Sequence, residues 1–302
     1  MDQIETMQAF MQVARLTSFT AAANLLGVPK ASVSLAVQQL ENQLGTRLLH
    51  RTTRKVQLTQ DGQAFYERGM DLLADLEELQ GMFRTDPGHL RGRLRVDMPL
   101  AVAREVVLPC LPDFLQSYPE LHIELSSTDR RVDLVREGFD CVLRVGALSD
   151  SSLIARPLGA YRMINCASRG YVERHGKPEK LNDLAYHQLV LYLPVLGARP
   201  AGFEYADPAA PARALFHSMP GVVSVNNSDA YLQACRAGLG IIQVPEAGMQ
   251  ALLASGELLE VLPEHRAVPM PVSLLYANRR HLPRRVQVFM GWIAELMKPR
   301  LI

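Results

Sequence analysis

Apolar residues recur at helical spacing from the start of the chain. Ile4, Met7, Phe10, Met11 and Ala14 share a stripe that predicts a first helix ending near Leu16. Ser18 is placed to cap a second helix, FTAAANLLG, by offering its side-chain oxygen to free backbone N–H groups. Ala21, Ala22 and Ala23 let another helix come close, Gly27 ends the segment, and Pro29 suits the first turn of a third helix. Two helices joined by a short Gly-containing turn make a helix-turn-helix.

The third segment, KASVSLAVQQLENQLG, has two unlike faces. With an advance of about 100° per residue, Val33, Val37, Leu40 and Leu44 fall in one stripe that should pack on a core. The opposite side carries Ala31, Leu35, Gln38 and Asn42, flanked by Ser32, Ser34 and Gln39, with no carboxylate among them. A merely solvated face usually holds more charge. In such motifs the second helix enters the major groove, where amides pair with base edges, hydroxyls reach bases or phosphates, and methyl groups meet thymine. Glu41 lies toward the edge of this face and is expected to pair within the protein.

Downstream, TRLLHRTTRKVQLT holds Arg47, Arg51, Arg54 and Lys55 without an acidic residue, and the alternation at Val56–Thr59 predicts a strand. Leu49 to Leu58 therefore reads as a two-stranded wing with Thr52 to Arg54 near its tip, suited to phosphates and giving salt-sensitive affinity. From Thr59, a plausible cap, helical spacing runs through Phe65, Leu72, Leu76, Leu79 and Phe83 to Pro87-Gly88. About 28 residues make a rod of about 40 Å. A coiled-coil-like stripe along it points to pairing with a second subunit, with packing on the chain's own body as the alternative.

Beyond Gly88 the pattern changes to strands alternating with helices: RLRVDM, a helix over Ala101 to Ser117, HIELSS, a helix near Arg130 to Glu137, then FDCVLRVG. This predicts an α/β lobe with a largely parallel sheet. A second unit of similar pattern follows from about Arg162, and the chain returns to the first near Val268, so two crossings make a hinged two-lobed body. The Pro- and Ala-rich stretch GARPAGFEYADPAAPARALFHSMPG reads as loop rather than strand.

Composition adds limits. A chain of 302 residues with 48% hydrophobic content can bury large cores in two or three domains. Its net charge of +1 means that any nucleic-acid preference must come from a local patch. No signal peptide or membrane-length apolar run is visible, which predicts a cytoplasmic protein without a membrane partner. Cys110, Cys141, Cys166 and Cys235 lack the close spacing of metal or thioredoxin-like motifs and read as packing residues in a reduced protein, with a redox pair of Cys166 and Cys235 as the sharper alternative. No histidine spacing suggests a metal, and no cofactor motif stands out; Gly238-Leu239-Gly240 lacks the third glycine and preceding strand of a nucleotide loop and reads as helix termination.

The run SFTAAANLLGVPKASVSLAVQQLENQLGTRLLHRTTRKVQLTQDG resembles the winged helix-turn-helix of the LysR-type transcriptional regulators. The likeness continues through GRLRV, FDCVLRVGALSDSSLIARPLG and AGLGIIQVP over essentially the whole chain, and VPK marks a subgroup of recognition helix. The resemblance implies an α/β protein with a winged helix-turn-helix at residues 1–59, a linker and dimerisation helix at 60–87, and a periplasmic-binding-protein-like effector domain at 88–302. Its lobes would span about 88–161 with 268–302, and about 162–267. It further implies a non-enzymatic homodimer or dimer of dimers that binds an interrupted palindrome in double-stranded DNA, contacts RNA polymerase and responds to a small molecule between the lobes.

Carried over by position, Lys30, Ala31, Ser34 and Leu35 would face bases, and Arg51, Thr53 and Arg54 the backbone. Pro29 stands where many members have a capping Ser or Thr, and Leu35 where Arg or Gln is common, which predicts a thymine preference at its contact.

Ligands of open α/β sheets lie beyond strand carboxyl ends, often at helix N-termini. That picks out Met98, Pro99, Leu100 and Ala101, and Asn226, Asn227, Ser228 and Asp229. The resemblance adds Arg144 and Ser168. Arg144 would suit an anionic effector, or would pair structurally with Asp140 or Asp129. Leu100 and Ala101 replace polar residues common in the family and favour an apolar or aromatic effector. An enzyme acting on a small acid, a redox sensor and an effector-independent DNA-binding protein are the rival readings.

Overall fold

Helix α1 (Gln3–Leu16) opens with Asp2 donating its N–H to the Glu5 carboxylate at 2.9 Å. The Ser18 hydroxyl accepts from Ala21 N–H at 3.2 Å and starts α2 (Phe19–Leu26), which Gly27 ends in the left-handed region. Helix α3 (Lys30–Leu44) follows. Pro29 sits at its N-cap, one place before the first turn expected for it, and its carbonyl accepts from Ser32 and Val33. Phe10, Val13, Ala22, Ala23, Val33, Ala36, Val37 and Leu40 close one core. Leu44, expected in this stripe, is 43% exposed. It lies in the last turn, immediately before left-handed Gly45, and the chain contributes no further buried side chain until Leu48.

Strands β1 (Leu49–Arg51) and β2 (Val56–Leu58) pair antiparallel with Leu49 opposite Leu58, as the wing reading requires. The computed structural model describes residues 2–51, 56–81, 90–148, 153–277 and 282–302, with only the backbone at residues 51, 71, 74, 75 and 77–81. Helix α4 (Gln60–Gly81) is capped by Thr59, whose hydroxyl accepts from Gly62 N–H at 2.9 Å and donates to Arg47 O at 2.7 Å. Gly62 permits this approach, because a Cβ there would fall 1.9 Å from Leu48 O.

The chain divides into two units, Met1–Arg93 with Glu120–His122, and Leu94–Pro119 with Ile123–Ile302. The larger unit holds two lobes. In the first, β3 (Arg91–Met98), β4 (Glu120–Ser127), β5 (Cys141–Val145), β6 (Leu153–Tyr161) and β14 (Met270–Ala277) form a sheet of order β4-β3-β5-β14-β6. β3 and β5 are parallel, but β14 runs antiparallel to both β5 and β6, so the sheet is mixed rather than largely parallel. The returning strand enters from the second lobe and inserts between two first-lobe strands, a pairing that local periodicity does not report. Pro157 is accommodated because β6 is an edge strand.

The helix expected from Ala101 is α5 (Leu100–Val102), a π-helical turn (Ala103–Val107) and α6 (Leu108–Ser117). Helix α7 (Leu134–Glu137) is shorter than the expected Arg130 to Glu137, since Asp133 caps it by accepting from Arg136 N–H at 3.0 Å. Phe114 of α6 packs against Phe289 and Trp292 of the last helix (Arg284–Met297).

In the second lobe, β7 (Met163–Ser168) is central, antiparallel to β12 (Ile242–Pro245) and β13 (Leu258–Glu260), while β8 (Val190–Tyr192) pairs in parallel with β11 (Val223–Val225). Helices α8 (Arg169–His175) and α9 (Ser228–Arg236) follow β7 and β11. The stretch read as loop contains an antiparallel hairpin, β9 (Phe203–Asp207) and β10 (Ala210–His217), with an irregular register between Ala210 and Ala214. Buried Phe203 anchors it, and the bulge takes up Pro211, which had masked the alternation. Gly238 has φ 78 and its N–H bonds to Cys235 O, so the Gly238-Leu239-Gly240 segment ends α9.

Candidate nucleic-acid interface and effector cleft

Helix α3 turns its two faces in opposite senses. Val33, Ala36, Val37 and Leu40 are buried, whereas Lys30, Ala31, Leu35, Gln38 and Asn42 are exposed and Ser32, Ser34 and Gln39 half-buried. Leu35 is 55% exposed, a large apolar side chain left in water. Among the described residues the amides and hydroxyls of this face have no side-chain hydrogen-bond partner, and no side chain caps the first turn behind Pro29. Glu41 behaves differently. Its Oε1 accepts from Leu48 N–H at 2.9 Å and Leu49 N–H at 3.1 Å, tying β1 to α3 and withdrawing the carboxylate from the exposed face.

Of the wing residues, Arg51 lies in β1 with its backbone alone described, and Thr53 and Arg54 lie outside the described residues. Along α4, Phe65 stacks edge-on to Phe10 with ring centroids 5.5 Å apart and, partly buried, packs against the chain's own core. Leu72 is 57% exposed and Leu76 half-buried. Leu79 has only its backbone described, and Phe83 lies outside the described residues. Met7, Phe65, Arg68, Gly69 and Leu72 outline an apolar groove between α1 and α4.

The second unit contains a cleft of about 800 Å³ lined by both lobes, within the usual range of about 300–1,000 Å³ for small-molecule sites. Pro99, Ala101, Arg144 and Ser228 line it, joined by Val102, Tyr161, Met163, Tyr192, Tyr231 and Met249. Leu100, Ser168, Asn226 and Asn227 do not. Ser168 and Asn227 are instead helix caps, accepting from Tyr171 N–H at 3.3 Å and Ala230 N–H at 2.8 Å. Asn226 is exposed, and Leu100 turns its N–H to the Asp129 carboxylate at 3.1 Å.

Arg144 pairs with neither Asp140 nor Asp129. Its Nη1 donates to Asp97 Oδ2 at 2.8 Å, with the aspartate fully buried and the arginine side chain 14% exposed. The β3–β5 register sets Asp97 beside Val142, two residues from Arg144. Ser126 and Thr128 hydroxyls donate to Asp97 Oδ1 at 2.7 and 3.1 Å, satisfying the second oxygen. Nη2 of Arg144 is buried and without a partner among the described residues. Asp140 instead accepts from Arg95 N–H at 2.9 Å. Sequence reasoning missed Asp97; the available signal was a carboxylate inside the apolar strand RLRVDM, which must find a cation if buried.

Cys166 and Cys235 do lie together, with the Cys235 thiol 3.7 Å from Cys166 O, and both are free and buried. Burial pushes both thiols up to about 12, so little thiolate exists at neutral pH. No group of side chains among the described residues could hold a metal ion, and none of the described helices is long and apolar enough to cross a membrane.

A reading head with an uncommitted polar face and a bilobal ligand-binding body define a regulator class, and comparison with known proteins identifies it. Residues 4–63 match the bacterial regulatory helix-turn-helix proteins of the lysR family, and residues 87–298 match the LysR substrate binding domain. The chain belongs to the LysR family of DNA-binding transcriptional regulators, which are not enzymes. It is 48% identical to the HTH-type transcriptional regulator YhjC of Escherichia coli (strain K12), covering 100% of each chain. It is 38% identical to an HTH-type transcriptional repressor of Pseudomonas aeruginosa (strain UCBPP-PA14), over 98% of this chain and 92% of that one. Among solved structures it resembles CrgA, a LysR-type transcriptional regulator from Neisseria meningitidis, with 26% identity, TM-score 0.61, and 96% and 97% of the two chains covered.

Proposed function

We propose that this LysR-type regulator acts in the cytoplasm as a dimer or dimer of dimers, reading an interrupted palindrome through the exposed side of α3. The observation that supports this reading is the uncommitted face itself: Gln38, Gln39 and Asn42 offer amides to base edges, Ser32 and Ser34 offer hydroxyls, and Ala31 and Leu35 offer methyl groups. Lys30, at the helix start, reaches in toward the bases, and Arg51, Thr53 and Arg54 contact the phosphate backbone in this reading, which belongs to the VPK type of recognition helix. Residues 1–59 form the reading head, 60–87 the linker, and 88–302 the effector domain with lobes near 88–161 plus 268–302 and 162–267. Phe65, Leu72, Leu76, Leu79 and Phe83 supply the intersubunit stripe, with Phe65 also packed on the chain's own core.

The effector is a small apolar or aromatic molecule held in the cleft. Val102, Tyr161, Met163 and Tyr231 make its wall apolar, and an anionic substituent would meet Arg144 Nη2. RNA polymerase is the further partner at the promoter. Selecting bound duplexes from a random pool tests the reading: the account expects an inverted repeat with thymine opposite Leu35, and a pool without twofold symmetry would contradict it.

A further inference from the structure

The loop after β4 carries Asp129, and its carboxylate receives backbone N–H groups from both lobes. Leu100 N–H, at the start of α5 in the first lobe, donates to Oδ1 at 3.1 Å, and Ser228 N–H, at the start of α9 in the second, donates to Oδ2. Amides at the first position of a helix have no partner inside it and favour negative charge. Two such amides converging on one point would ordinarily take the carboxylate of a ligand. Here the chain's own carboxylate holds that position.

The loop is fixed on its other side. Thr128 donates its N–H to Met98 O at 3.0 Å and its hydroxyl to Asp97 Oδ1 at 3.1 Å, and Asp97 in turn holds Arg144. A second contact joins the lobes, since Arg104 Nη1 lies 2.7 Å from Asp229 Oδ1. Asp129 and Ser228 both line the cleft, and Ser228 Oγ is buried with no hydrogen-bond partner among the described residues.

We propose that Asp129 is an internal ligand of the cleft. It latches the two lobes through the paired amides of Leu100 and Ser228 and keeps external carboxylates off them. This rests on the reading of the cleft as the effector site and narrows it: selection falls to the apolar wall and Arg144 Nη2, while the helix-start amides serve closure.

Removing the internal carboxylate should convert the position into a site for a free one. In full-length Asp129→Ala, sodium acetate should raise the thermal midpoint by about 2–4 °C over sodium chloride at equal ionic strength, and the wild type should not distinguish the salts. Hydrogen exchange at the Leu100 and Ser228 amides should quicken by about tenfold in Asp129→Ala and slow again in acetate. Equal response of the variant to both salts, or unchanged exchange at both amides, overturns the proposal. Should Asp129→Ala not fold, Asp129→Asn keeps one oxygen acceptor and should speed exchange at one of the two amides; full protection of both in that variant contradicts the latch. None of these measurements involves DNA or an effector, so their failure is separable from failure of the regulator reading, which duplex selection tests.

Discussion

The exposed face of α3 and the largely apolar cleft of the effector domain treat their polar groups in opposite ways. On α3 the amides and hydroxyls are left without partners among the described residues. In the cleft two groups are committed inside the chain: Arg144 to buried Asp97, and the Asp129 carboxylate to two backbone amides. The difference follows from solvent. A convex helix face keeps its groups hydrated and needs no partner within the chain. The Asp97 carboxylate is withdrawn from water altogether and the Arg144 side chain nearly so, and an unpaired buried charge costs far more than an idle exposed amide.

This contrast predicts where substitutions hurt. The largest effect should come from Asp97→Ala, which strands the Arg144 guanidinium in a half-dry site; breaking such a pair costs about 3–5 kcal/mol, read as a fall in the urea midpoint of the effector domain's transition. Asp97→Asn should do less harm, because it keeps an acceptor for Ser126 and Thr128.

Next comes Gly62→Ala, which drives a methyl group into Leu48 O and should destabilise the reading head by about 1–3 kcal/mol, measured by chemical denaturation. Leu35→Ala belongs to the other regime. Its stability should stay within about 0.5 kcal/mol of wild type, while its preference for thymine over deoxyuracil at one half-site position should vanish in competition binding. Equal discrimination by the two proteins would show that Leu35 does not read the methyl group.

The smallest effect is a titration in the second lobe. Burial lowers the His187 pKa, where the ring nitrogen Nδ1 meets the Tyr171 hydroxyl at 3.2 Å. The folded state thus favours neutral imidazole, so its contribution is intact above the unfolded value of about 6.5 and declines as pH falls below it. The thermal midpoint of the second unit should drop between neutral and mildly acidic pH, and His187→Gln should flatten that drop. Cys166 and Cys235, with little thiolate, should remain countable as free thiols after brief peroxide exposure.

Much of the reading head was legible because its signals are local. Ser18, Gly27 and the stripe of Val33, Val37 and Leu40 each act within a turn or two of their own position. Leu44 misled because periodicity continues to the last turn even where the packing stops. In the effector domain the strands were legible but their partners were not: β14 inserts beside β5 from more than a hundred residues downstream, and no local pattern encodes that register. The same long reach hid the cleft chemistry. Asp129 and Ser228 lie 99 residues apart, and Asp97 and Arg144 47 apart. The residues marked at helix starts were sensible choices for the amides, but the chain had already supplied the acceptor. Ser168 and Asn227 were marked as ligand contacts and act as caps, a role their residue types fill equally well.

The most direct test of the central claim is a binding titration of wild type and a Leu35→Ala, Gln38→Ala, Asn42→Ala triple variant against the selected duplex and a scrambled one at matched salt. The account predicts that the variant keeps its helical circular dichroism and its affinity for the scrambled duplex, since phosphate contacts are untouched, while its preference for the selected site falls by about 100-fold or more. Preference retained at the wild-type level would contradict the assignment of α3 as the reading helix.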